Sequence, residues 1–91
     1  MKYEVKRTSL FVKDVKRMKK RGADLDKLNN IINRLANGER LESKYRNHSL
    51  SGELAGYDEC HIEPDWLLIY RYHDDTLYLL LSRTGSHSDL F

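Results

Sequence analysis

The hydrophobic pattern changes its period once along the chain, near Leu50, and that change limits the fold more than any other feature. Before it, apolar residues recur at helical spacing. Phe11, Val15 and Met18 fall at i, i+4 and i+7, and Leu25, Leu28, Ile32 and Leu35 at i, i+3, i+7 and i+10. Each set makes one apolar stripe on a helix, so both helices must bury a face. After Leu50 the period is two. Over residues 57–63, Cys60 and Ile62 share one face, and Tyr57, Glu59 and His61 the other. A helical first half and a stranded second half specify an α+β fold rather than alternating βα units.

The element ends are equally readable. Residues 2–7 alternate Tyr3 and Val5 with charged neighbours, the pattern of a half-buried strand. Thr8 or Ser9 caps a helix that runs to about Lys20 and stops at Gly22. Asp24 caps a second helix that closes at Gly38. Residues 39–49 are polar, with Leu41 and Tyr45 as their anchors, and read as a surface loop. Pro64-Asp65 makes a turn. Residues 66–73 and 76–83 are apolar enough for central strands and are joined as a hairpin through Asp74-Asp75. The tail after Thr84 has room for no more than a turn of helix. The expected order is β-α-α-β-β-β, a helical hairpin packed on a mostly antiparallel sheet, in a single domain over residues 1–91.

Composition sets the remaining bounds. With 40% hydrophobic and 33% charged residues, 91 residues hold enough Leu, Ile, Val and aromatics for one core, which excludes a disordered chain. A lone cysteine, Cys60, excludes an intramolecular disulfide and points to a reducing cytosol. No apolar run approaches the roughly 18 residues of a membrane span, and Met1 to Lys6 lacks the apolar stretch of a signal peptide. The net charge of +2 conceals a division. Residues 1–46 carry 14 Lys/Arg and 6 Asp/Glu, and residues 47–91 carry 2 and 8. The densest run, residues 13–21, holds Lys13, Lys16, Arg17 and Lys20. Such a run is either a solvated helix face or a surface that binds a polyanion by displacing its counterions.

The candidate chemistry lies in the second half. His48 precedes the sheet, His61 lies near a strand end, His87 is in the tail, and His73 adjoins a turn and reads as solvated. His61-Ile62-Glu63-Pro64-Asp65-Trp66 gathers an imidazole, carboxylates and an indole around one turn. His48, His61, Asp65 and His87 are residue types a zinc ion accepts, but no short-spaced ligand pair is present, and no metal or other cofactor is expected. Glycine motifs for nucleotides are absent, and Cys60 reads as a small core residue. General acid–base cleavage of RNA remains. One group removes the 2′-OH proton, another protonates the leaving 5′ oxygen, and imidazole, with a reference pKa of about 6.5, suits both tasks. Arg83 offers fixed charge to the phosphate, Trp66 or Phe91 a face for an unstacked base, and the basic helix a grip on backbone phosphates.

Three motifs in order, H-x-L-x-G from His48, H-x-x-P-D-W from His61 and R-x-G-x-H-x-x-L-F from Arg83 to Phe91, resemble the YafQ-type toxins of the RelE superfamily. The resemblance runs from end to end. It implies a bacterial, cytoplasmic, ribosome-dependent endoribonuclease that cuts translated mRNA in the decoding site. By position, His48, His61, Asp65, Trp66, His87 and Phe91 match the active-site set of that subgroup, and Arg83 matches its phosphate-facing arginine. His87 is then the general acid, with base and orienting roles shared among His48, His61 and Asp65. The resemblance further implies a cognate antitoxin with an acidic arm, and contact with DNA only through that antitoxin. The alternative class is an inactive binding module that acts through an antitoxin or the ribosome.

Overall fold

The computed structural model describes residues 2–91. Its elements are β1 (Glu4–Arg7), α1 (Ser9–Lys20), α2 (Leu25–Ala36), β2 (His48–Ser49), β3 (Asp58–Glu63), β4 (Trp66–His73), β5 (Tyr78–Gly85) and α3 (His87–Leu90). The sheet runs β1-β5-β4-β3-β2, antiparallel except where β1 lies parallel to β5. This is the α+β architecture that the period change demands, with two short additions, β2 and α3. Among the described residues, no helix is long and apolar enough to cross a membrane.

The helix ends follow the capping residues. Thr8 Oγ1 accepts from the Phe11 N–H at 3.0 Å, and Asp24 Oδ1 accepts from the Asp26 N–H at 3.1 Å. Both helices turn Phe11, Met18, Leu28, Ile31, Ile32 and Leu35 onto a core that holds Cys60, Ile62, Leu68, Tyr70, Leu79 and Leu81 of the sheet. Two differences from the sequence pattern have local causes. Leu77 adopts φ +50°, which no strand tolerates, so β5 begins at Tyr78 rather than Thr76. The segment after Gly38 is not a featureless loop. It contains a short 3₁₀ turn at Ser43–Tyr45 and then pairs His48 with Glu59.

One carboxylate, Asp14, lies on the buried face of α1 between Phe11 and Met18. Strand β1 ends at Arg7, opposite Leu81, while β5 continues to Gly85, so the outer edge of residues 82–85 has no strand beside it. The start of α1 supplies the missing partners. Thr8 Oγ1 donates to the Ser82 carbonyl at 2.7 Å, Asp14 Oδ2 accepts from the Thr84 N–H at 3.1 Å, and Arg17 Nη2 donates to the Thr84 carbonyl at 3.4 Å. Asp14, 1% exposed, also takes Arg83 Nε at 2.7 Å, Arg83 Nη2 at 3.0 Å and Arg17 Nη2 at 2.9 Å. Burial alone would raise its carboxyl pKa. The Arg83 bonds, the Thr84 N–H and Arg17 outweigh burial and hold it below the ordinary value. Gly85 completes the corner, because a Cβ there would stand 2.9 Å from Arg17 Nη2 and 3.0 Å from the Asp89 side chain.

Two predictions follow from this packing. Asp14→Asn should lower the unfolding free energy at neutral pH by about 2 kcal/mol, the scale of a partly buried charge network losing its anion. Since the folded-state pKa is the lower one, the Asp14 contribution is complete above the ordinary carboxyl range, about pH 4, and fades as pH falls through the folded value. Denaturant melts should therefore show a gap between variant and parent that closes on acidification; a gap independent of pH would assign the loss to packing alone. Cys60 is fully buried, and burial pushes its thiol up to about 12. A disulfide reagent at pH 8 should label it only in the unfolded chain, and rapid labelling of the native protein would contradict its place in the core.

Candidate active site

Three histidines that are distant in sequence meet at the open end of the sheet. His48 lies on β2, His61 on β3 and His87 at the start of α3. The His48 and His61 ring centroids are 6.4 Å apart, and those of His61 and His87 5.9 Å. The hairpin turn that positions His61 is forced by Pro64. A two-residue turn between Glu63 and Trp66 prefers positive φ at its centre, which proline cannot adopt, and the register shifts between His61 and Glu63. Bulges of this kind re-aim side chains beside functional sites. Here the shift leaves His61 Nδ1 at 3.2 Å from the Pro64 carbonyl.

The other two rings are anchored through the same atom. His48 Nδ1 lies 2.7 Å from the Arg46 carbonyl, and His87 Nδ1 lies 2.7 Å from Asp65 Oδ1. A carbonyl or carboxylate oxygen only accepts, so each Nδ1 carries the proton. That assignment leaves every Nε2 to exchange protons with something else. His48 Nε2 and His61 Nε2 both approach Glu59 Oε1, at 3.5 Å and 3.6 Å. Asp65 is fixed in turn by the His87 backbone N–H at 2.9 Å. That bond first, and the ring second, hold its carboxyl below the ordinary value and keep it anionic. The Ser86 capping box, with Asp89 as its second member, sets the start of α3 and so the position of His87.

Glu59 was not among the candidates from sequence, although strand alternation already placed it beside His61. At 5% exposure it is a carboxylate shared by two imidazoles, a position that pattern alone does not distinguish from a solvated acid. Loop anchoring is equally invisible in sequence. Tyr70 Oη donates to the Asn47 side chain, and Ser49 Oγ donates to Asp58 Oδ1 at 3.0 Å, so the segment carrying His48 is tied to the sheet on both sides.

The remaining candidates divide. Phe91 is 66% exposed and stands one helical turn from His87, its N–H bonded to the His87 carbonyl at 2.9 Å. Trp66 corrects the expectation of a base-stacking face. It is 3% exposed, and its indole N–H is spent on Thr84 Oγ1 at 2.9 Å, so it is a core residue that holds β4 to β5. Arg17 is likewise no free phosphate ligand, since it is committed to Asp14 and lies 3.7 Å from Asp89. Arg83 has two donors on Asp14, which leaves Nη1 for another partner. Lys13, Lys16 and Lys20 are exposed on α1, which packs against β5 rather than against the strands that bear His48 and His61.

Comparison with known proteins identifies the family of the fold. Residues 3–91 match the model of the family described as the bacterial toxin of type II toxin–antitoxin systems, YafQ. The mRNA interferase toxin YafQ of Escherichia coli strain K12 is 38% identical over 89 residues, which cover 97% of this chain and 95% of the relative. The YafQ toxin in the crystal structure of the E. coli DinJ–YafQ toxin–antitoxin complex superposes with a TM-score of 0.89 at 37% identity, over 100% of this chain and 99% of that one. A metal-bound toxin from Helicobacter pylori superposes at 0.92 with 39% identity, over 98% and 99% of the two chains. Matched by the family model over residues 3–91 and 38% identical to a curated member over 97% of its length, the chain belongs to the YafQ family of bacterial type II toxin–antitoxin toxins.

Proposed function

We propose that the protein is a ribosome-dependent endoribonuclease that cuts translated mRNA and thereby arrests translation. The observation that carries this reading is the common anchoring of three imidazoles through Nδ1, with all three Nε2 atoms left for proton transfer. In the reaction, the 2′ oxygen bonds to the adjacent phosphorus, the bond from phosphorus to the 5′ oxygen breaks, and one proton leaves and another arrives. His87, oriented by the Asp65 carboxylate, delivers the proton to the 5′ oxygen from Nε2. His48 removes the 2′-OH proton, because its ring is half exposed whereas His61 is 8% exposed and sits between the other two. The Glu59 carboxylate, 3.5 and 3.6 Å from the Nε2 atoms of His48 and His61, stabilises the imidazolium formed when His48 takes up the proton. Arg83 Nη1 stabilises the crowded phosphate, and Phe91 supplies the exposed ring for a base.

The metal-bound H. pylori relative raises the question of a cation here. Among the described residues, no group of three or more His, Cys, Asp and Glu side chains is arranged to hold one. No step of the mechanism is routed through a metal. The DinJ–YafQ complex supports an antitoxin partner for this chain as well. An acidic antitoxin arm suits the exposed Lys13, Lys16 and Lys20 of α1, and contact with operator DNA would run through that antitoxin. The bacterial cytoplasm is the matching compartment.

His87→Ala should reduce the cleavage rate by about 10²–10⁴-fold with little change in melting temperature, since the side chain is exposed on a single helical turn. Primer extension on translated mRNA, with and without ribosomes, measures it; undiminished cutting by this variant would rule out the assigned acid. Asp65→Asn keeps the shape and removes the anion, and should cost roughly tenfold in rate, less than loss of His87 itself. A chelator selective for transition metals over the magnesium that ribosomes need should leave the rate unchanged, and strong inhibition would overturn the metal-free mechanism.

A further inference from the structure

The sheet is open beside the histidines. Strand β2 pairs only with Asp58 and Glu59, so β3 runs on to Glu63 with no strand on its outer side. A cavity of about 520 Å³ occupies that gap, within the range of small-ligand sites. Its apolar surface comes from Ile31 of α2, Ile62 of β3 and the Tyr45 ring. Three cations, Lys27, Lys44 and Arg46, line it against one anion, Glu63, which is paired with Lys27 at 2.9 Å. Asn30 adds an exposed amide that can donate and accept. His61 forms part of the same wall, so the cavity adjoins the cluster of imidazoles.

Arg46 ties the cavity to the histidines a second time. Its backbone is left-handed, φ +49° and ψ +42°, an uncommon conformation for a residue with a side chain. The same residue offers its carbonyl to His48 Nδ1 and lines the cavity. Strain of this kind persists where the surroundings fix it, commonly at functional sites. An apolar slot with an excess of cations, a hydrogen-bonding amide and a wall shared with a proton-transfer group fits one chemical class, a nucleotide of single-stranded RNA.

We propose that this cavity holds the nucleotide flanking the scissile phosphate, with its base against Ile31, Ile62 and Tyr45, its edge read by Asn30 and its phosphate held by Lys44 and Arg46. The proposal rests on the nuclease reading above and names the substrate subsite of that reaction. Cavity and histidines are thus two parts of one track along the open edge of β3.

The test is cleavage of translated mRNA on purified ribosomes, with KM, kcat and mapped 5′ ends for two variants. Arg46→Gly retains the left-handed backbone, which glycine adopts freely, and so retains the carbonyl anchor of His48 while deleting the guanidinium. Combined with Lys44→Ala, it should raise KM about tenfold, with kcat falling far less, as expected when uniform binding is removed. Asn30→Ala should broaden the base preference at one position beside the cut. Wild-type KM in the double variant together with unchanged preference in Asn30→Ala would overturn the subsite, as would a loss confined to kcat, which would make the cavity a support for His48 alone. If the parent protein cuts no mRNA, the nuclease reading itself fails, an outcome separate from a parent that cuts and variants that match it.

Discussion

A strand that outruns its neighbour leaves main-chain groups without partners, and in this molecule the Asp14 carboxylate closes that edge. Because β1 stops at Arg7, the far end of β5 depends on α1 for its hydrogen bonds, and Asp14 accepts from both the Thr84 backbone and the Arg83 side chain. The cost of burying an anion is offset only because every face of it is used. Once α1 is fixed there, Arg17 and Arg21 reach Asp89, Asp89 completes the cap of α3, and α3 carries His87 to the other histidines. The ion network between α1 and β5 therefore sets the position of His87 through the cap of α3.

The same network revises the meaning of the charge division. The basic half and the acidic half are in part each other's partners: Arg17 and Arg21 with Asp89, and Lys27 with Glu63. Part of the positive charge that reads as a phosphate-binding surface is internal. What stays available lies on the outer face of α1 and around the gap beside β3. These are two separate surfaces, the first proposed above for an acidic antitoxin arm and the second for RNA.

The fold was legible wherever a single residue carries a local rule. Thr8, Asp24 and Gly38 mark helix ends, Pro64-Asp65 marks the hairpin, and the change of period marks the passage from helices to sheet. The histidine cluster was legible through motif order, which the alternation of β3 supports. What escaped depends on partners remote in sequence. Asp14 falls at helical spacing between Phe11 and Met18, on the buried stripe, but spacing does not name its partner, an unpaired strand edge some 70 positions later. Trp66 was misread for the same reason, because the hydroxyl that takes its N–H belongs to the next strand. Glu59 looked like any strand acid until two imidazoles were seen to converge on it.

Two of the three ring anchors, at Arg46 and Pro64, are main-chain carbonyls rather than side chains. A backbone oxygen depends on the conformation at its position rather than on a side-chain group, so the tautomers of His48 and His61 tolerate only those substitutions at Arg46 and Pro64 that keep the local backbone. His87 alone relies on a side chain, Asp65, that a single nucleotide change can remove. The orientation of His87 is thus set by the chemistry of one side chain, whereas those of His48 and His61 are set by the path of the main chain.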